Sequence, residues 1–231
     1  MRRDLRRDAL DRLRVLACAT RLLDLGFFRI GSEDYAVTNE TYGLATMLRR
    51  HVTVEADEVV FDYPAKSGQR RIQAITDDDV RTVVAALKRR RSRDPELLAY
   101  KNGRRWADVR SDDINAYVKN ATSHDFSAKD FRTWNATVLA AIALAGGDGK
   151  PRSKTAYKRA TAAAVKTVAG YLGNTPAVAR ASYIDPRVFD RYRDGETIDY
   201  RLVGAAGEAR NGDATAIQGP LEKAVMKLLE S

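Results

Sequence analysis

The sequence predicts an α+β fold that is mainly α-helical, with a small three-stranded antiparallel sheet near its N-terminal third. Two patterns carry that expectation. Three β-rich runs, over 47–55, 59–63 and 70–75, follow one another across connections too short for a parallel crossover, Ala56-Asp57 and Pro64-Ala65-Lys66-Ser67-Gly68. On either side of them, apolar residues recur at helical spacing between capping residues and glycine stops.

In chain order, residues 5–25 read as one helix, with Leu5, Leu13, Leu16, Ala17 and Leu23 near helical spacing and Gly26 as the stop. A connection over 27–43 leads into the sheet. After the sheet, Thr76 is read as the cap of a helix whose first turn holds Asp77, Asp78 and Asp79 and whose end holds Lys88 to Arg91. That polarity opposes the helix dipole favourably at both ends. Ser111 before Asp112-Asp113 and Ser127 before Asp130 read as two more caps. The second opens a helix through Leu144, which Gly146-Gly147-Asp148-Gly149 breaks. A helix over 154–172 ends at Gly173. Thr175-Pro176 then gives an N-cap with proline at the first helical position, starting a short helix towards Tyr183. The C-terminal segment reads as charged and helical, most clearly over 221–229. The expectation is a single domain over 1–231.

Composition narrows the function. The chain has 231 residues and a formal net charge of +9, which favours a polyanionic partner. Cys18 is the sole cysteine, so no intrachain disulfide can form, and His51 and His124 have no zinc-ligand spacing. No apolar run approaches the ~18 residues of a membrane span. The Arg-rich start is interrupted by Asp4, Asp8 and Asp11, which argues against a transit peptide. No G-x-x-x-x-G-K-[ST] loop is present to hold a nucleotide. Asp77-Asp78-Asp79 reads as a helix start rather than a magnesium site.

What remains is a dispersed set of cationic and polar side chains in special local settings. Arg29 emerges from an apolar connection after Phe27-Phe28, and Lys66 lies at the tip of the expected hairpin. Arg132 falls in the first turns of a helix, Asn174 at a helix exit, and Tyr183 at the end of a short helix before Asp185-Pro186. Singly, each has an ordinary explanation as a surface charge or a cap.

Together, their order and local wording resemble the catalytic domain of type IB DNA topoisomerases, the poxvirus-like and bacterial branch especially. Phe28-Arg29-Ile30-Gly31 is similar to the family's first arginine motif, and Asn39-Glu40-Thr41-Tyr42-Gly43-Leu44 to the segment after it. Phe61-Asp62-Tyr63-Pro64-Ala65-Lys66 resembles the hairpin with the catalytic lysine. Lys129-Asp130-Phe131-Arg132-Thr133-Trp134 resembles the second arginine motif. Gly173-Asn174-Thr175-Pro176 through Tyr183 resembles the block that ends in the nucleophile. Many members carry histidine where this chain has Asn174; the bacterial branch often shows asparagine. Members also usually carry a separate N-terminal DNA-clamping domain, which is expected to be absent from 1–231.

The resemblance implies that Tyr183 attacks a backbone phosphate of double-stranded DNA, with Arg29, Lys66, Arg132 and Asn174 as its catalytic partners and Lys129 as a further DNA contact. A free phenol titrates near ~10, so few are ionised at neutral pH. Guanidiniums beside the phosphate stabilise both phenolate character and the charge building on the non-bridging oxygens. Lysine can give up a proton and so serve the departing 5′ oxygen. The expectation includes no cofactor, no metal, no nucleotide, no membrane partner, a monomeric state and a place in the bacterial cytoplasm at the nucleoid. Two alternatives use the same residues. A tyrosine recombinase has a similar Arg, Lys, Arg, Tyr set, but typically histidine where Lys129 stands. A basic DNA-binding module without chemistry would use Lys88-Arg89-Arg90-Arg91-Ser92-Arg93 and the scattered cations as phosphate anchors.

Overall fold

The N-terminal helical stretch is two helices, α1 (Arg2–Leu5) and α2 (Arg12–Leu25), because Asp11 stops the chain in an extended conformation and caps the second. Its carboxylate accepts the Arg14 N–H at 2.9 Å, satisfying one of the donors a helix start leaves over. The Arg14 side chain reaches back to the Leu5 and Asp8 carbonyls and fixes the link. The computed structural model describes residues 1–147, 150–202 and 219–230, without the side chains of Asp34, Tyr35, Val37 and Ser67. Asp148-Gly149 of the glycine-rich break, and the C-terminal segment over 203–218, lie outside the described residues.

Contacts divide the chain into two units, Met1–Phe131 and Arg132–Ser231. In the first, α2 is buried nearly all round, from Val15 to Ala19 and again at Leu22, Leu23 and Leu25. A helix with no polar face must be enclosed by others. Here α4 (Asp78–Arg89) and α5 (Ser111–Thr122) pack on it, bringing Val80, Val83, Val84, Leu87, Ile114 and Val118 into the same core. Asp77, not Thr76, caps α4: it accepts the Val80 N–H at 2.9 Å and pairs with Arg21 at 3.0 Å. At α5 the cap sits on Arg110, one residue before Ser111, and Asp113 folds back onto the Arg110 N–H at 3.0 Å.

The expected sheet is present, in the order β1-β2-β3 and antiparallel throughout: β1 (Val52–Val54), β2 (Val59–Pro64) and β3 (Arg70–Ile75). β2 lies in the middle, with Phe61 opposite Val52 on one side and Gln73 on the other. The first strand is shorter than its β-rich run because residues 49–51 form a single 3-10 turn, where the His51 ring accepts the Leu48 N–H. A second hairpin, β4 (Ala99–Asn102) and β5 (Arg105–Asp108), was not expected; Gly103 at φ +58 makes its turn. α3 (Glu33–Asn39) occupies part of the connection into the sheet.

The second unit is helical. α6 (Ala128–Ala145) opens behind Ser127, whose hydroxyl meets both Asp130 and the Lys129 N–H. α7 (Lys154–Leu172) buries Ala164, Val165, Val168, Ala169 and Leu172 along one stripe. α8 (Pro176–Ser182) packs on α7. α9 (Arg187–Asp194) packs on a final helix, Pro220–Glu230, through Val188, Phe189, Leu221, Val225 and Leu229. The described architecture is thus α+β and mainly helical.

Candidate functional site

Within the first unit, Arg29 is placed by its neighbours. Phe28 is fully buried, edge-on to Phe61 of β2 at 4.9 Å between ring centres. That contact pins the backbone of the next residue. The Arg29 carbonyl accepts the Leu44 N–H at 2.8 Å, and Ile30 accepts from Ala45 at 2.7 Å. Gly43 and Gly31 meet so closely that a β-carbon on Gly43 would lie 2.4 Å from the Gly31 Cα. The first arginine motif and the segment after it are therefore laid side by side, and they need glycine to do so. The Arg29 side chain is half-buried.

The same segment touches the hairpin. The Tyr42 N–H donates to the Pro64 carbonyl at 2.8 Å, two residues before Lys66. Lys66 begins a tight 3-10 turn, Lys66–Gly68, closed by the Ala65 N–H on Gln69 and by Gly68 at φ +69. Its side chain is exposed. Arg29 and Lys66 thus sit on two stretches of backbone that each bond to the segment over 42–45, near the end of β2.

Within the second unit, three elements meet. Arg132, only 4% exposed, extends from α6 to the Leu172 carbonyl at 3.0 Å. Leu172 is the last residue of α7; Gly173 follows at φ +62, and the Asn174 N–H bonds back to Ala169 at 3.0 Å. This left-handed helix exit is the reason for glycine before Asn174. Thr175 caps α8 through the Val178 N–H, and Tyr183 ends it, its own N–H on the Ala179 carbonyl at 3.1 Å. The Tyr183 ring is half-buried, with the Arg132 guanidinium carbon 5.3 Å from its centre. A cation at that place, taken out of bulk water, favours negative charge nearby more strongly than a surface cation would.

Lys129 is exposed on the first turn of α6, in the first unit. Two other phenols that follow Tyr183 in the chain differ from it. Tyr192 is 4% exposed and stacks on Tyr157 at 6.1 Å. Tyr200 is exposed, at 56%. Trp134 gives its indole N–H to Glu222 at 2.8 Å, a packing role beneath the final helix.

The basic run after α4 is not uniformly solvated. Arg90 is buried, donating to the Leu87, Glu96 and Leu97 carbonyls and lying 5.7 Å from the Trp106 ring centre. Burial, first, and the neighbouring Arg49 pull its pKa below the ordinary arginine value. Arg89, Arg91 and Arg93 stay exposed, as do Lys101, Arg104 and Arg105 on the β4–β5 hairpin. Among the described residues none of these six makes an ion pair, and the three on the β4–β5 hairpin add exposed charge that the sequence reading missed with the hairpin. No helix of the described residues is long and apolar enough to cross a membrane.

Comparison with known proteins shows the family. The family described as "Eukaryotic DNA topoisomerase I, catalytic core" matches residues 1–199, a span that includes Arg29, Lys66, Lys129, Arg132, Asn174 and Tyr183. A protein of Acanthamoeba polyphaga mimivirus named "DNA topoisomerase 1B" is 27% identical over 191 residues. The match covers 75% of this chain and 56% of that viral relative, so the chain spans little more than half the relative's length.

Proposed function

The chain belongs to the DNA topoisomerase I catalytic-core family, and from that premise we propose that it relaxes supercoiled duplex DNA by cutting and resealing one strand through Tyr183. The observation that supports this most is the half-buried phenol beneath a buried guanidinium, with the Asn174 turn bonded to that same arginine through Leu172.

The reaction is a phosphoryl transfer. The Tyr183 oxygen attacks phosphorus, its proton passing to solvent, and the bond from phosphorus to the 5′ oxygen breaks. Lys66 delivers a proton to that departing oxygen. Arg29 and Arg132 hold the non-bridging oxygens as charge builds on them, and Asn174 adds a neutral donor. Lys129 anchors a neighbouring phosphate. The product is a 3′-phosphotyrosyl link with a free 5′ hydroxyl. Because the link conserves the energy of the broken bond, attack by that hydroxyl reseals the strand without nucleotide or metal. Between the two steps the duplex swivels. Both units serve as one catalytic domain, acting as a monomer on DNA in a bacterial nucleoid.

A covalent trap tests the proposal. The chain is incubated with a nicked substrate that cannot be resealed, in chelator, and denatured. The expected result is a protein–DNA adduct that Tyr183→Phe abolishes, with relaxation of supercoiled plasmid by the intact chain. No adduct despite firm DNA binding would favour a binding module. Strand exchange between two duplexes would favour a recombinase.

A further inference from the structure

Thr137 is a buried hydroxyl, 2% exposed, among apolar neighbours on α6 that include Ala136, Val138, Ala140 and Ala141. Its bonds explain its presence. Oγ1 donates to the Thr133 carbonyl one turn back at 2.8 Å, which fixes the rotamer and uses the single hydroxyl proton. The lone pairs are left to accept, and they take the Asp185 N–H at 3.1 Å. The Tyr183 carbonyl oxygen lies 3.5 Å from the same atom.

We propose that Thr137 is a positioning residue for the nucleophile, holding the backbone after Tyr183 to the helix that carries Arg132. The inference rests on the strand-cleavage reading above. On the upstream side, Tyr183 is held within α8 by the Ala179 carbonyl. Downstream, Asp185 precedes α9 and its N–H belongs to no helix, so a side chain must serve it. Ile184, buried and only 5% exposed, is the single residue between the two anchored amides. Arg132 meets the ring and Thr137 meets the backbone, both from α6, so phenol and guanidinium share one rigid reference. In-line attack tolerates little misplacement; an error of about 1 Å can cost on the order of 100-fold.

The test compares the wild-type chain with Thr137→Val, Thr137→Ala, Thr137→Ser and Tyr183→Phe. Single-turnover adduct formation is followed at saturating protein, and non-covalent affinity for the same DNA is measured separately. Valine keeps the shape and deletes the hydroxyl; alanine makes the same deletion if valine disturbs the helix. The expected result is a fall of about 10- to 100-fold in cleavage rate for the folded deletion variants, with affinity little changed and the rate restored by serine. A wild-type rate in a folded deletion variant would overturn the inference. So would an equal loss in Thr137→Ser, which would make the methyl group responsible, or a rate loss that simply follows lost affinity. No adduct from the wild-type chain is a different failure: it removes the strand-cleavage reading itself.

Discussion

The guanidinium of Arg132 does two things at once: it faces the Tyr183 ring, 5.3 Å from its centre, and it donates to the Leu172 carbonyl at 3.0 Å. The first contact is electrostatic and the second geometric, and the planar fork serves both at once. Arg132→Ala is therefore expected to slow adduct formation by roughly 100- to 1,000-fold, the range for loss of a preorganised donor at a charge-building oxygen. Arg132→Lys keeps the charge but not the fork, and is expected to recover only part of the rate. Single-turnover cleavage distinguishes them; full recovery with lysine would show that charge alone suffices.

Gly43 bears on Arg29 in a different way. A β-carbon there would lie 2.4 Å from both the N and the Cα of Gly31 and 2.8 Å from the Arg29 carbonyl, all of them backbone atoms. Backbone cannot rotate away as a side chain would. Gly43→Ala is expected to destabilise the fold by roughly 1–3 kcal/mol, the usual cost of overpacking, and to slow cleavage further by shifting Arg29. Gly68 provides the contrast: nothing lies within 4 Å of its missing β-carbon, but φ is +69. Gly68→Ala should cost only the left-handed strain, roughly 1–2 kcal/mol. Denaturant midpoints for the two variants, set beside their cleavage rates, check the distinction.

The sequence carried the helices with clear punctuation and lost those without it. Gly173 and Thr175-Pro176 mark their boundaries by backbone requirement, and the structure has them there. At Thr76-Asp77 two good caps stand side by side, so pattern alone could not choose; the Arg21 partner decides for Asp77. The β4–β5 hairpin was missed because Lys101, Asn102, Arg104 and Arg105 hide the alternation, leaving Gly103 as its lone signal. Arg90 looked like one more solvated cation because its acceptors are backbone carbonyls, which have no signature in sequence. At the site, the resemblance named the residues, but Thr137 was invisible. Its role depends on a turn 48 residues away.

Acid should weaken the segment that follows the nucleophile, through Asp185. The Arg187 guanidinium beside Asp185 holds its carboxyl below the ordinary carboxylate range, outweighing the opposite effect of partial burial. A pKa depressed in the folded state adds stability above the unfolded value, and that stability is lost as pH falls through the folded one. Arg187 is 59% exposed, so solvent screens the pair and its contribution is small. Asp185→Asn should lower the urea midpoint slightly at pH 7 and flatten its decline below about pH 4. An unchanged acid limb would show that the pair does not contribute.

Lys66 can be separated from the arginines by the leaving group it is proposed to serve. An alkoxide departing from phosphorus is strongly basic and gains much from a proton arriving with bond cleavage, whereas a thiolate of pKa near ~8.5 departs readily without one. If Lys66 is the proton donor, Lys66→Ala should slow cleavage of ordinary DNA by about 100-fold or more yet cleave a 5′-bridging phosphorothiolate at close to the wild-type rate. Arg132→Ala should remain slow on both, since charge on the non-bridging oxygens builds either way. The exposed 3-10 turn at Lys66–Gly68 favours a clean comparison, because truncating a solvated side chain leaves the β2–β3 hairpin intact. A Lys66→Ala variant equally impaired on both substrates would assign the lysine to phosphate binding instead, and the proton would have to come from another group.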